Sequence, residues 1–136
     1  VKCLDKKRSE EIALKVIRNV EKYRESAALE IEVLEAIQKN CTAHATLCIN
    51  ILKSFKYGGH MCIAFPCLGK SVYDFLCFND YQPFTFNQIK HIGYQLISAL
   101  KFLHSLNLTH TDLKPENLLF VNSDYEVWDS SNSSVF

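Results

Sequence analysis

The stretch His110-Thr111-Asp112-Leu113-Lys114-Pro115-Glu116-Asn117 limits this chain more than any other. Pro115 fixes one backbone angle and carries no N–H, so these residues suit a rigid loop and not a helix interior. An apolar helical period runs up to His104, and a short apolar run, Leu118-Leu119-Phe120-Val121, follows the loop. The loop is therefore a polar link between a helix and a strand. Its side chains also form a chemical set: Asp112 brings a carboxylate, Lys114 a cation and Asn117 an amide. Phosphoryl transfer uses such a set. A carboxylate orients the attacking hydroxyl and accepts its proton, a cation stabilises charge on the moving phosphoryl, and an amide oxygen holds a metal ion. A polar turn without function rarely brings His, Asp and Asn together in this order and spacing.

The same chemistry uses a strand lysine paired with a glutamate on the following helix. Ile12-Ala13-Leu14-Lys15-Val16-Ile17 is an apolar run broken by one lysine. That alone is a weak signal, because an edge strand often carries a lysine for solubility. The next segment sharpens it. At about 100° per residue from Ser26 to Lys39, Ala27, Leu29, Ile31, Val33, Leu34 and Ile37 share one broad face. Glu30 projects between Leu34 and Ile37 inside that face, whereas Glu32, Glu35 and Lys39 lie opposite. A carboxylate placed there needs a partner, and Lys15 is the nearest upstream candidate. The alternative is that Glu30 sits at the margin of the stripe and reaches water.

A coarse pass predicts an antiparallel hairpin over 1–5 and 11–18, a helix over about 25–39 and strands near 47–56 and 60–66. Gly58-Gly59 is a good hairpin turn signal. The pattern turns helical over 71–78 and again after Pro83, where Phe86, Ile89, Gly93, Leu96, Leu100 and Leu103 keep a helical period. This is an α+β arrangement with a small sheet lobe and the start of a helical lobe. Pro66–Leu68 lies between the two, where a nucleotide cleft would form.

Composition permits this and excludes other classes. The chain has 136 residues, 48% of them hydrophobic, so it can bury a core as a single domain. A formal net charge of zero gives no electrostatic footprint for nucleic acid or an acidic membrane. No apolar run approaches the roughly 20 residues needed to cross a bilayer. The six cysteines, at 3, 41, 48, 62, 67 and 77, show no zinc spacing and read as reduced, mostly buried thiols of an intracellular protein. Ser130-Ser131-Asn132-Ser133-Ser134 reads as a loop or frayed tail. The chain opens at Val1 inside an apparent strand, and Met61 is its only methionine, so it is read as a piece of a longer protein.

With these residues in view, the chain resembles the protein kinases. Residues 110–117 fit H-R-D-L-x-x-x-N except at Thr111, which stands in place of Arg. Within that family it looks most like the CDC-like, or LAMMER, dual-specificity kinases. The resemblance rests on LTHTDLKPENLLFVNSDYE at 108–126, GGHMCIAF at 58–65 and ALKVIRNVEKYRESAALEIEVLEAI at 13–37. It implies a partial kinase domain, with 1–66 as part of the small lobe, 67–70 as the hinge and 71–136 as the start of the large lobe.

The resemblance also implies a role for each site residue. Lys15 would hold the α- and β-phosphates of ATP, with Glu30 fixing its position and Ala13 in the same nucleotide-binding set. Phe65 would be the gatekeeper. Adenine would meet the backbone of Pro66 to Leu68, where Pro66 offers a carbonyl but no N–H. Ser71 and Asp74 could face the ribose, and Leu119 would form the floor beneath the base. Asp112 would orient the substrate hydroxyl, Lys114 would approach the γ-phosphate and Asn117 would take one Mg²⁺. His110 is expected to be a buried support of the loop. In many kinases the Arg at the Thr111 position orders a phosphorylated loop, so the intact protein is expected not to depend on that switch.

The implied function is ATP-dependent phosphorylation of protein hydroxyls by a serine/threonine or dual-specificity kinase. By resemblance, the partners would be arginine/serine-rich splicing factors and the setting nuclear. A monomer is expected, without nucleic acid or membrane. No G-x-G-x-x-G occurs, and no D-F-G follows the loop. Asp129 is followed by Ser130-Ser131 and is read as loop, with a degenerate metal ligand as the alternative. As it stands, the chain is expected to have negligible activity and to leave the helix near 86–106 with an uncovered apolar face. Two other functions stay open. One is a truncated or pseudokinase chain serving as a non-catalytic binding module. The other is a small-molecule phosphotransferase of similar fold, against which Lys114 argues.

Overall fold

The computed structural model describes residues 1–40 and 47–125. Cys41, Asp129 and the serine-rich stretch at 130–134 lie outside the described residues. The described chain packs as two compact units, Val1–Cys67 with Gln82–Leu113, and Leu68–Tyr81 with the described residues from Lys114 on.

In the first unit, β1 (Lys2–Asp5), β2 (Glu10–Val16), β3 (Lys53–Tyr57) and β4 (His60–Pro66) form an antiparallel sheet in the order β1-β2-β4-β3. In the turn between β1 and β2, the Asp5 carboxylate accepts the N–H groups of Lys7 and Arg8. Between β3 and β4, Gly58 and Gly59 both take positive φ, at 55° and 81°. That pair of angles suits the hairpin turn whose twist matches the strands, and glycine adopts it without penalty. The strand expected over 47–56 is shorter. Leu52 donates to the Ala64 carbonyl, but the paired strand starts at Lys53. Leu47, Ile49 and Leu52 are exposed and only Ile51 is buried, so this apolar run lacks the alternation that a half-buried strand needs.

Helix α1 (Glu21–Lys39) starts four residues before the sequence signal suggested. Val20 stands at its N-cap without a side-chain acceptor, so there was no cap residue to mark the start. Its buried stripe is also narrower than expected. Ala27, Leu34 and Ile37 are buried and Ile31 is half-buried, but Leu29 and Val33 are exposed, because they lie about 100–150° off the centre of the stripe. Leu34 packs with Ile51 and the fully buried Ile63, with Ile31 and Phe65 alongside. Ile37 packs with Phe102 and Leu103 of the helix Phe86–Ser105. That helix opens on a capping box, in which Thr85 and Gln88 satisfy each other's backbone N–H groups. The expected apolar stripe is only partly open: Phe86 and Ile89 are exposed, but Leu96 and Leu100 are half-buried and Leu103 is buried. Tyr94 and Ile97 are exposed off that stripe. Among the described residues no helix is long and apolar enough to cross a membrane.

In the second unit, the short helix Val72–Phe78 is capped by Ser71, and the expected strand at 118–121 reduces to one bridge, Ser71 to Leu119. Backbone bonds extend it: Gly69 donates to Phe120, Phe120 to Lys70, and Val72 to Leu118. Phe75 meets the edges of Phe120 and Tyr125 at 5.5 and 5.4 Å between ring centroids. Gly69 is required by the close approach of the two segments, since a Cβ there would lie 2.8 Å from the Ser123 backbone nitrogen. Gly69→Ala should therefore lose about 1–3 kcal/mol by overpacking. Chemical denaturation checks this, and an unchanged midpoint would mean that the two segments do not pack as described.

Candidate nucleotide and phosphoryl-transfer site

Lys15 and Glu30 meet. Lys15 Nζ donates to Glu30 Oε1 at 2.7 Å and to Oε2 at 2.8 Å. The register of the sheet explains why. Lys15 lies opposite Ile63 and Ala13 opposite Phe65, and directly opposed residues share a face. Ile63 and Phe65 pack against Leu34 of α1, so Lys15 is carried on the helix-facing side of the sheet. Glu30 lies one turn before Leu34 on the same stripe. Both side chains keep substantial exposure, 48% for Lys15 and 36% for Glu30. The pair opens on a cleft of about 320 Å³ walled by Val16 to Arg18 and by Tyr23, Ser26 and Ala27.

The loop residues fall in both units, with Asp112 in the first and Lys114 and Asn117 in the second. The Asp112 N–H donates to the His110 carbonyl at 2.9 Å and approaches His110 Nδ1 at 3.4 Å. Thr111, between them, takes φ 62°. A bond from residue i+2 to residue i across a positive φ is a strained turn, and a β-branched residue is poorly suited to it. The strain sets the direction in which Asp112 leaves the turn. His110, expected as a buried support of the loop, is exposed and not buried. In the second unit, Pro115 begins the 3-10 turn Pro115–Asn117, which the Asn117 N–H closes on the Lys114 carbonyl at 2.9 Å.

The other expected contact residues separate by exposure. Phe65 and Pro66 are half-buried at the end of β4, and Leu68 is half-buried in the second unit. Leu119 is exposed, which leaves its side chain open to a ligand. Ser71 is buried, and its hydroxyl both accepts from the Asp74 N–H and donates to Asp74 Oδ2 at 2.6 Å. Capping thus occupies Ser71, while Asp74 remains exposed. The S-x-x-D spacing at 71–74 was a readable signal for this cap. His60 is half-buried and places Nδ1 2.8 Å from the Ile17 carbonyl.

Among the described residues no three His, Cys, Asp or Glu side chains cluster as metal ligands. Of the five described cysteines, all free thiols, Cys67 alone is exposed. Burial pushes the Cys48 thiol up from its ordinary pKa.

An antiparallel sheet whose lysine is held by a helix glutamate, in a chain that also carries the Asp112–Asn117 loop, defines the class. Residues 1–129 match the protein kinase domain, and the chain belongs to that family. Its similarity runs to the dual specificity protein kinase CLK2 of Mus musculus and of Homo sapiens, each 53% identical over 128 residues and 93% of this chain. It is 54% identical to the serine/threonine-protein kinase Doa of Drosophila melanogaster over 92% of its length. A solved kinase domain superposes with a TM-score of 0.83 at 36% identity, over 89% of this chain and 35% of that one. The chain spans 26% of either CLK2 sequence and 15% of Doa.

Two predictions follow from the geometry. Thr111→Asn should raise stability by about 1 kcal/mol, because asparagine tolerates this backbone region better. Equilibrium unfolding reads it, and a loss would mean that Thr111 is not strained. In native protein, iodoacetamide should modify the exposed Cys67 before Cys48 and Cys62, since burial shields Cys62 from the reagent and pushes the Cys48 thiol up. Peptide mapping of the labelled sites gives the order.

Proposed function

We propose that the intact protein is a kinase that moves the γ-phosphoryl group of ATP to serine, threonine and, as the names of its CLK2 relatives suggest, further hydroxyls of proteins. The observation that carries this is the two-point contact between Lys15 and Glu30. It commits two of the three ammonium N–H groups and leaves the third for a phosphate oxygen, on a half-exposed group that a ligand can reach. A lysine needed only for solubility would not be fixed this way.

The remaining roles follow from the donor chemistry. Asp112 accepts the proton of the attacking hydroxyl, and Lys114 supplies positive charge to the transferred group. Asn117 offers a neutral hard oxygen, the donor type that suits Mg²⁺. Bound magnesium neutralises charge on the phosphates during transfer. Adenine contacts fall to Phe65, to the Pro66 carbonyl, to the Leu68 N–H and to Leu119, with Ala13 beside Phe65 in the register. Ribose contact falls to the exposed Asp74, because capping engages Ser71. On this assignment 1–66 belongs to the small lobe, 67–70 is the hinge and the large lobe begins at 71. Arginine/serine-rich proteins as substrates and a nuclear setting are the natural extension of the likeness to CLK2. Threonine at 111 removes the guanidinium that would pair with a loop phosphate, so activity should not require that phosphate.

Asp112→Asn and Lys15→Met, made in the intact protein, should each lower phosphate transfer to a serine-containing peptide by about 10²–10⁴-fold with folding unchanged. Transfer of labelled γ-phosphate measures this. Native rates in either variant would remove the assignment.

A further inference from the structure

We propose that His60 is a positioning residue for the Lys15–Glu30 pair, an inference that rests on the nucleotide assignment above. An ion pair this exposed has little energy of its own with which to fix its geometry, so the scaffold must set it. The β2–β4 ladder ends at Val16 and Cys62, after which Ile17 donates to the Met61 carbonyl at 2.8 Å. The chain then crosses from the lysine strand to the glutamate helix in a short connector, Ile17 to Val20.

At the far end of that connector no side chain caps α1: the Val20 carbonyl takes the N–H groups of both Tyr23 and Arg24, and the Val20 N–H donates to the Arg18 carbonyl at 2.8 Å within the connector. The near end is tied to β4 by two hydrogen bonds, one from the Ile17 N–H to Met61 and one at the Ile17 carbonyl. His60 Nδ1 meets the Ile17 carbonyl at 2.8 Å in a partly buried site. Gly59 sits so close to the Asn19 amide that a Cβ there would lie 2.8 Å from Asn19 Nδ2. A carbonyl can only accept, so Nδ1 carries the proton and donates. Lys15 is two residues from this bond, and Ile17 and Arg18 wall the cleft on which the pair opens. Loss of the bond lets the connector shift, and the fraction of molecules with a formed pair falls. Apparent ATP affinity falls with that fraction.

His60→Phe, His60→Asn and His60→Gln in the intact protein test this, because the Asn amide nitrogen overlays Nδ1 whereas the Gln nitrogen lies nearer Nε2. ATP affinity is titrated, and hydrogen–deuterium exchange is followed over residues 17–25. The Phe and Gln variants should weaken ATP by about 3- to 10-fold, the range one hydrogen bond commands, and speed exchange in the connector. The Asn variant should stay near native in both. Equal behaviour of the Asn and Gln variants, or native affinity in the Phe variant, overturns the proposal. Should the Phe variant fail to fold, the Asn–Gln contrast decides. Lys15→Met separates the two assignments. If it binds ATP as the native protein does, the nucleotide assignment is wrong and His60 is judged on exchange alone, where unchanged protection in the Phe variant overturns its role.

Discussion

The register between β2 and β4 is the constraint on which the rest of the first unit depends. Ile63 is fully buried and faces Lys15 directly. A slip of one residue would turn every side chain of β2 to the opposite face, and Lys15 would leave the helix side of the sheet. Burial of Ile63 against Leu34 and Ile51 therefore does more than stabilise a core. It selects the face on which a charged group can meet Glu30.

The ion pair itself is better suited to function than to stability. Exposed pairs contribute at most about 1 kcal/mol, and screening by salt reduces that further. Two carboxylate contacts leave the ammonium oriented and still reachable. A deeply buried pair would be held harder but could not turn a hydrogen bond toward a ligand. Strain is used in the same way at Thr111, where an unfavourable backbone angle turns the chain sharply just before Asp112.

Much of this was legible in the sequence. The hairpins, the helix stripe and the loop with its proline each have local signals, and Glu30 stood out as a carboxylate on an apolar stripe. The width of that stripe did not follow from periodicity, because Leu29 and Val33 are apolar yet exposed. Surface apolar residues are common, so hydrophobicity alone cannot draw the edge of a buried face. The start of α1 was missed for lack of a cap residue. His110 was expected inside and is exposed. The His60 bond to Ile17 spans 43 residues, and no local pattern announces a side chain that reaches a distant carbonyl. Nor does any composition signal predict a threonine at a positive φ.

The central claim is that Lys15 and Glu30 act as one unit on the phosphates of a nucleotide. A double-mutant cycle of ATP affinity, with Lys15→Met, Glu30→Gln and the two combined, tests it most directly. If the glutamate works only through the lysine, the double variant binds ATP no more weakly than Lys15→Met alone. Fully additive losses, or native affinity in both single variants, would contradict the account.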